Sequence, residues 1–285
     1  MRLPSVLSIA GSDSSGGAGI QADIKTALAN GVYAMTAVTA LTAQNTTGVR
    51  AVHEAPPEFL AAEIDAVFDD IPPDAVKIGM VASVPLIRTI AERLSAHGAK
   101  HIVVDPVIVA TSGSRLLAED AADALASELF PMAEIVTPNL PELFVLDRLA
   151  GGNPKDAEDY ASMDARVEAA KRISSRFGCP VLAKGGHAAE NADDLLVTQS
   201  GVEVFPGERV VTSNTHGTGC TLSTAVASNL AKGMTLSDAV RRAKTYVTGA
   251  LSSGLDLGRG SGPLHHGFAL ESEFSAPALE RTDHA

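Results

Sequence analysis

The sequence has no tryptophan, and aromatic residues make up only 4% of its 285 residues. This scarcity argues against the base-stacking platforms of proteins that bind single-stranded nucleic acids. Basic residues are also few: 22 lysines and arginines stand against 34 aspartates and glutamates, which gives a formal net charge of −12. Because a nucleic-acid surface requires a basic patch, we expect no nucleic-acid partner.

Cysteine is scarce as well, since Cys179 and Cys220 are the only two. They do not make a disulfide framework, and neither belongs to a cysteine pair with metal-ligand spacing. A reducing, cytoplasmic location is the simplest expectation. No apolar run approaches the roughly 20 residues that span a bilayer, so we expect no membrane partner. The first residues lack the apolar core of a signal peptide, so we expect no secretory leader.

Short apolar segments alternate with amphipathic ones along most of the chain, and 45% of the residues are hydrophobic. This alternation is typical of parallel strands covered by helices on both faces. Two further apolar segments separated by Gln-Ser-Gly predict a hairpin, and therefore an antiparallel margin to the sheet. We predict an α/β fold in a single domain over 1–270, followed by a polar, frayed tail over 271–285.

The predicted strands are 6–9, 32–41, 49–54, 75–80, 101–105, 134–137, 180–184, 195–198 and 202–205. The predicted helices are one ending near residue 30, then 59–71, 83–97, 118–130, 141–149, 164–177, one opened by the loop at 216–220, and 235–253. Polar residues at 151–162 predict a surface loop.

The segment His-Gly-Thr-Gly-Cys at 216–220 is the strongest local signal for a ligand site. Apolar residues recur at helical spacing from Leu222 to Leu230, so a glycine loop opens a helix. Unpaired first-turn amides and the helix dipole together favour an anion. A helix N-terminus also favours a thiolate, so we expect a lowered pKa for Cys220. The alternative is a glycine turn that caps a core helix and carries an inert thiol.

Polar residues follow the buried strands where ligands bind in open α/β sheets. Asp105 and Glu142 offer two carboxylates that suit Mg²⁺, with Asn139 nearby, and Lys184 offers a point charge for phosphate oxygens. Each has a structural alternative. Asp105 could initiate a turn before proline, Glu142 could stabilise its own helix, Lys184 could be solvated, and Met80 could be a core residue.

Gln44 also stands at a strand end, where it could instead satisfy loop amides. The consecutive His265 and His266 near the end of the chain are expected to be solvated or to face a partner.

Several segments together resemble the hydroxymethylpyrimidine/phosphomethylpyrimidine kinases of thiamine biosynthesis, in the family's order and from about residue 8 to 255. They are Ala-Gly-Ser-Asp-Ser-Ser-Gly-Gly-Ala-Gly-Ile-Gln-Ala-Asp at 10–23, Thr-Ala-Gln-Asn-Thr at 42–46, Val-Asp-Pro-Val at 104–107, Thr-Pro-Asn-x-x-Glu at 137–142, Lys-Gly-Gly-His at 184–187 and His-Gly-Thr-Gly-Cys at 216–220.

The resemblance implies a ribokinase-like three-layer sandwich that phosphorylates 4-amino-5-hydroxymethyl-2-methylpyrimidine with ATP, and then phosphorylates the monophosphate. By the same resemblance, the pyrimidine is expected to contact Gly11, Asp23, Gln44, Met80 and Val107. The nucleotide is expected to contact Asn139, Lys184 and His216, and Mg²⁺ is expected at Asp105 and Glu142. The resemblance assigns the transferring phosphoryl group to the amides of Gly217, Thr218, Gly219 and Cys220. The Cys220 side chain is expected to be either a base or part of the anion site.

Two departures from the family pattern concern the ATP side of the site and the subunit contacts. The chain has Gly-Ser-Gly-Pro-Leu-His-His at 260–266 where a His-Gly-Pro pattern is frequent, and the polar segment at 151–162 is longer than usual. A pyridoxal kinase of the same fold is the main alternative, because pyridoxal also carries a ring hydroxymethyl group. A non-catalytic pyrimidine sensor is a second alternative. By analogy with the family, we expect a homodimer.

Overall fold

The computed structural model describes residues 2–108, 121–186 and 192–271. In these ranges the strands are β1 (Ser5–Asp13), β2 (Tyr33–Asn45), β3 (Gly48–Glu54), β4 (Ala75–Ile78), β5 (Ile102–Val104), β6 (Ile135–Val136), β7 (Val181–Ala183), β8 (Asp194–Thr198) and β9 (Gly201–Phe205). The helices are α1 (Gly19–Ala29), α2 (Pro57–Asp70), α3 (Val84–Ala96), α4 (Ala121–Ala124), α5 (Leu140–Leu149), α6 (Met163–Phe177), α7 (Thr218–Ala231) and α8 (Leu236–Ser252).

The described strands form one sheet in the order β3-β2-β1-β4-β5-β6-β7-β8-β9. The central strands from β2 to β7 in this order are parallel. Both margins are antiparallel, since β3 pairs with β2 and the β8–β9 hairpin pairs with β7. The predicted fold class, a mostly parallel sheet with an antiparallel margin and helices on both faces, is confirmed.

Two hydrophobic cores lie on opposite faces of the sheet. One packs α2, α3, α5 and α6 against the strands, and the other packs α1, α7 and α8. Successive side chains of β1 serve different cores, because Val6 belongs to the second and Leu7 to the first. This alternation follows from strand geometry, in which successive side chains point to opposite faces of the sheet. On the second face, α7 packs directly against the middle of the sheet.

β1 is longer than predicted, and this extension shapes the site. Its pairing with β2 shifts register after Ala10 and continues as Ser12 with Leu41 and Asp13 with Thr42. The glycine and polar residues after Ile9 hid this continuation, because they have the composition of a loop. Asp13 is therefore held by the rigid end of a strand.

The structure also modifies two other predictions. The segment predicted as a loop at 151–162 contains a 3-10 turn, Ala157–Tyr160, and the Tyr160 hydroxyl donates to the buried Asp147 at 2.8 Å. His266 is buried, only 5% exposed, and lies 3.0 Å from the Thr221 hydroxyl, so the expectation of a solvated side chain is wrong for this residue. Its burial lowers the pKa of the imidazole to about 4.

Some predicted features fall outside the described residues. These are the first three residues of the helix predicted at 118–130, the His187 end of the Lys-Gly-Gly-His segment, and the tail beyond residue 271. From 121 onward the predicted helix is α4, which continues into a π turn (Leu125–Leu129) and a 3-10 turn (Phe130–Met132). The single-domain boundary at residue 270 stays a prediction.

Among the described helices, none combines the length and the apolar composition needed to cross a membrane.

Candidate active site

The carboxyl ends of β5, β6 and β7 bring three predicted charged residues together. Lys184 Nζ lies 2.9 Å from Asp105 Oδ1 and 3.9 Å from Glu142 Oε2. The Thr137 hydroxyl donates to the same Asp105 oxygen at 3.1 Å. Asp105 is only 2% exposed, so its carboxylate is held by the protein and not by water. The strand-end rule therefore identified a real cluster.

Burial controls the electrostatics of this cluster. It disfavours the charge of Glu142 and raises the pKa of that carboxyl to about 7, an effect that Lys184 only partly opposes. Burial alone would lower the pKa of Lys184, but the charges of Asp105 and Glu142 outweigh it and raise the pKa above its ordinary value. Lys184 is therefore protonated at neutral pH. Two buried carboxylates share one ammonium, which leaves a place for additional positive charge.

Asn139 and Glu142 form a reciprocal cap at the start of α5. Asn139 Oδ1 accepts from the Glu142 amide at 2.9 Å, and Glu142 Oε2 accepts from the Asn139 amide at 2.8 Å. The cap satisfies two amides that the helix leaves unpaired and fixes the Glu142 side chain. Glu142 thus stabilises its helix and faces Lys184 at the same time.

α7 begins beside the charged cluster. Its N-cap, Gly217, has φ 83°, a left-handed conformation that glycine adopts without strain. A Cβ at Gly219 would lie 3.2 Å from Asp105 Oδ2 and 3.3 Å from Lys184 Nζ. The amides of Gly219 and Cys220 fall in the first turn, where an α-helix supplies no acceptor. Unpaired donors of a helix N-terminus therefore adjoin a fixed ammonium.

The two glycine-rich loops of the sequence interlock at this point. A Cβ at Gly217 would stand 2.0 Å from the carbonyl oxygen of Gly17, closer than atoms can approach. A Cβ at Gly17 would stand 2.5 Å from Cδ2 of His216. Both positions exclude any side chain, so the loop after β1 and the loop before α7 form one surface.

A chain of polar contacts joins these loops to the end of β2. His216 Nε2 lies 2.8 Å from Asp13 Oδ2 and 3.4 Å from Gln44 Nε2. The other end of the Gln44 amide, Oε1, lies 3.1 Å from the Thr42 hydroxyl. Burial opposes the charge of Asp13, but hydrogen bonds, first that from His216 and then those from Ser15, hold the pKa of its carboxyl well below the usual range. The His216 side chain thus faces the predicted pyrimidine residues.

Gly11, Met80 and Val107 lie at the ends of β1, β4 and β5. A Cβ at Gly11 would be 3.1 Å from Met80 Sδ, so the two residues are in contact. The Met80 carbonyl accepts from the Thr39 hydroxyl at 2.7 Å, and the Val107 amide donates to the Asp105 carbonyl at 2.8 Å. These bonds fix the backbone at Met80 and at Val107. The ligand contacts assigned to the three residues stay predictions.

Asp23 lies beneath the site instead of in it. Its carboxylate pairs with Lys77 Nζ at 2.8 Å, and both side chains are at most 1% exposed. It also accepts from the Ser8 hydroxyl at 2.5 Å and from the Thr224 hydroxyl at 2.7 Å. Both oxygens are therefore bonded inside the protein. This corrects the expected role of Asp23 as a direct pyrimidine contact.

The expectation of a lowered pKa for Cys220 is wrong. Burial raises the pKa of the thiol to about 11 and outweighs the opposing charge of Lys77. The carboxylates of Asp23 and Asp105 raise it further. The helix N-terminus favours a thiolate, but these effects from other elements are larger. Cys220 is therefore a neutral thiol at neutral pH.

The raised thiol pKa predicts slow alkylation of Cys220 by iodoacetamide at neutral pH. We expect a rate roughly 300-fold below that of an unperturbed thiol with pKa about 8.5, increasing steadily with pH, because the thiolate is the nucleophile. Mass spectrometry of the labelled peptides gives the rate, and Cys220→Ser identifies the signal from this residue. A rate that levels off near neutral pH would contradict the neutral thiol.

Two important residues, Asp13 and Lys77, escaped the sequence analysis. Lys77 offered a signal, because it is a lysine inside the apolar segment Ala-Val-Lys-Ile and a buried cation requires a partner. Asp13 offered a weaker one, an acidic residue two serines before a pair of glycines, but the predicted strand ends at Ile9. Its partner His216 is 203 residues away, so no local pattern connects them.

In the described ranges, no group of three or more histidines, cysteines or acidic residues is placed to hold an ion. The carboxylates of Asp105 and Glu142, which both face Lys184, are the metal-ligand candidates of this site, with oxygen donors of the kind that Mg²⁺ prefers.

Comparisons with known proteins agree on one family. The family model described as phosphomethylpyrimidine kinase matches residues 13–265. The chain is 49% identical to the hydroxymethylpyrimidine/phosphomethylpyrimidine kinase of Rhizobium meliloti, over 91% of this chain and 96% of that protein. It is 46% identical to the thiamine biosynthesis bifunctional protein of Geobacter sulfurreducens over 94% of this chain, which spans about half, 53%, of that longer protein.

Solved structures of a phosphomethylpyrimidine kinase and of a pyridoxal kinase are both similar to the chain. The phosphomethylpyrimidine kinase of Clostridium difficile is 42% identical with a TM-score of 0.74, over 86% of this chain and 98% of that chain. The pyridoxal kinase of Staphylococcus aureus, solved in complex with AMP-PCP and pyridoxal, is 31% identical with a TM-score of 0.83, over 94% of this chain and 95% of that chain.

Proposed function

The chain belongs to the phosphomethylpyrimidine kinase family, and on that premise we propose that it transfers a phosphoryl group from ATP to 4-amino-5-hydroxymethyl-2-methylpyrimidine, and then to the resulting monophosphate. The observation that carries the proposal is the contact of the α7 N-terminus with the Asp105–Lys184 pair. Phosphoryl transfer depends mainly on positioning and electrostatic stabilisation, which amides and a fixed ammonium can supply.

The phosphate groups of ATP are assigned to Lys184, Asn139 and the start of α7. An ammonium has three donors, and Asp105 uses one of them at 2.9 Å. The remaining donors are available to phosphate oxygens. The amides of Gly217, Gly219 and Cys220 would stabilise the charge of the transferring group, because they are fixed before the reaction begins. The amide of Thr218, predicted to join them, donates instead to the Thr215 carbonyl at 3.3 Å.

Mg²⁺ fits the cluster through Asp105 and Glu142. The charge of Asp105 contributes to the raised pKa of Glu142, so a divalent cation at this edge would relieve the repulsion between the carboxylates. Mg²⁺ takes few protein oxygens and keeps places for water and phosphate. When bound, it would neutralise charge on the phosphates of ATP. Asp105 and Glu142 orient their oxygens for it through Thr137 and the α5 cap.

The pyrimidine ring is assigned to the end of β2 and the adjacent strand ends. Gln44 offers an amide that both donates and accepts, which matches an aminopyrimidine edge. Gly11, Met80 and Val107 would line the faces of the ring, since a missing side chain and a flexible thioether accommodate a flat ligand. The ring and the phosphate site then meet at Cys220, on the first turn of α7.

Gln44→Ala is expected to raise KM for hydroxymethylpyrimidine by about 10- to 100-fold, because buried polar groups lose their partners. The KM for ATP and the kcat should change little, since the amide acts on ring binding and not on the transferring group. Steady-state kinetics with each substrate varied separately checks this. Gln199→Ala, in the exposed β8–β9 turn, is the control. An unaltered pyrimidine KM would remove Gln44 from the pocket.

The neutral state of Cys220 favours one of its two possible roles. A thiol with a pKa of about 11 holds its own proton at neutral pH, so it does not act as a ready base. Its amide and its side chain can still form part of the phosphoryl site. We therefore assign Cys220 to the anion site, in agreement with the loose transition state of phosphoryl transfer.

Pyridoxal is the second candidate substrate, supported by the 0.83 TM-score with a pyridoxal kinase. The deciding experiment compares ATP- and Mg²⁺-dependent ADP release with hydroxymethylpyrimidine, pyridoxal, a hexose and ribose. Fast turnover of the pyrimidine, ending in a diphosphate, supports the proposal. Preference for pyridoxal reassigns Gln44 and Met80 to another ring, and no turnover with any of the four supports a pyrimidine sensor.

We further propose a homodimer and a cytoplasmic location. Leu41, on β2 beside the β3 margin, is 57% exposed, which supports a contact with a second copy. Cys179 and Cys220 are both free thiols, which suits a reducing compartment. Light scattering after size-exclusion chromatography tests the dimer.

A further inference from the structure

The Thr42 hydroxyl has one proton, and its position is fixed. Thr42 Oγ1 lies 2.8 Å from the carbonyl oxygen of Ser12, which can only accept. The hydroxyl proton must therefore point at Ser12. Thr42 Oγ1 therefore presents a lone pair to the Gln44 side-chain amide, which lies 3.1 Å away. The end of the amide that faces Thr42 must then be the donor.

The proton on His216 indicates the same direction of the Gln44 amide, this time from the end of the amide that faces His216. Asp13 Oδ2 accepts from the amides of Gly17 and Ala18 at 3.0 and 2.9 Å, so it is an ionised acceptor. His216 Nε2, 2.8 Å from the same oxygen, must carry a proton to bond to it. A second donor facing that nitrogen at 3.4 Å would be repelled, so the end of the Gln44 amide near His216 must accept.

We infer that Asp13 and His216 are positioning residues that fix the direction of the Gln44 amide, with its NH₂ toward Thr42 and its carbonyl oxygen toward His216. The amide is thus turned end for end relative to the contacts described above, since its two ends are nearly equal in shape. This inference rests on the proposed function and deepens it. The inference assigns His216 to recognition of the pyrimidine ring and no longer to nucleotide binding.

The direction of the amide determines how an aminopyrimidine can sit. The ring presents an amine donor next to a ring-nitrogen acceptor, so the amine must face the carbonyl oxygen, on the His216 side. The hydroxymethyl group is on the ring carbon next to the amine-bearing carbon. It is therefore placed toward the 217–220 segment that follows His216 and opens α7. With the amide reversed, the ring would have to turn over and carry its hydroxyl away from this segment.

The first test reads the His216 proton directly in the unmodified protein. In ¹⁵N-labelled protein at neutral pH, multiple-bond NMR spectra of the imidazole rings distinguish a protonated Nε2 from a bare one. We expect a proton on Nε2 of His216. A neutral ring with its proton on Nδ1 alone would overturn the inference, whatever the protein phosphorylates.

The second test uses the variant His216→Asn. Its control is His97→Asn at the C-terminal end of α3, because His97 also pairs with an aspartate, Asp65 on α2, but lies outside the site. Calorimetry without ATP is expected to show about 10-fold weaker hydroxymethylpyrimidine binding for His216→Asn, while the KM for ATP stays near wild type. In the Gln44→Ala background the same substitution should add little, because the two residues act through one contact.

The outcomes separate the two proposals. Wild-type protein that neither binds nor phosphorylates hydroxymethylpyrimidine defeats the proposed function, and the NMR spectrum still decides the proton on His216. Wild-type activity combined with a raised KM for ATP in His216→Asn, or with full additivity of the two substitutions, overturns only the positioning role.

Discussion

Replacement of Lys184 by methionine is expected to lower kcat by on the order of 10²- to 10³-fold, the loss typical when one fixed donor to a developing charge is removed. Lys184 is nearly buried, is bonded to Asp105 at 2.9 Å and adjoins the first turn of α7. Methionine preserves much of the volume but no charge. The KM for the pyrimidine should change little, because the ammonium lies on the phosphate side.

The same substitution carries a second readout that does not depend on turnover. Without the ammonium, Asp105 loses its ion-pair partner and nothing from Lys184 opposes the raised pKa of Glu142, so added Mg²⁺ should raise the Tm of Lys184→Met more than that of wild type. Lys155→Met, at an exposed position, is the control for loss of a lysine. Equal Mg²⁺ responses in all three proteins would contradict a cation site at these carboxylates, and an unchanged kcat would remove Lys184 from the reaction.

Lys77→Met is expected to cost about 3–5 kcal/mol of stability, the usual effect of removing one partner from a buried ion pair. Lys77 is fully buried, and its removal leaves the Asp23 carboxylate in the core with only the Ser8 and Thr224 hydroxyls as partners. Urea unfolding followed by circular dichroism measures the shift in midpoint. The unpaired, buried charge of Asp23 is sufficient to explain this loss of stability.

Two controls make this prediction specific. Lys171→Met breaks the exposed pair with Glu168 and should cost well under 1 kcal/mol, because water screens such pairs. The double variant Lys77→Met with Asp23→Leu should recover much of the loss, since two apolar side chains replace two buried charges. If Lys77→Met and Lys171→Met destabilise equally, the buried pair contributes nothing special to the fold.

Much of the molecule was predictable because its determinants are local. The alternation of apolar strands and amphipathic helices predicted the sheet and both helical layers. The rule that ligands bind beyond the strand ends predicted that Asp105, Glu142 and Lys184 would meet, and both carboxylates lie within 3.9 Å of the Lys184 ammonium nitrogen. The length of β1 was missed because its end, Gly11 to Asp13, has the composition of a loop while pairing with β2.

By itself, then, the sequence determined the fold class, the glycine loop that opens α7 and the set of charged residues at the sheet edge, because periodicity, helix starts and strand ends are properties of neighbouring residues. Only the tertiary structure decided the charge state of Cys220, the pairing of Asp23 with Lys77 and the contact of His216 with Asp13. A pKa depends on burial and on charges from other elements, and a polar contact between residues 203 positions apart exists only once the sheet has brought them together.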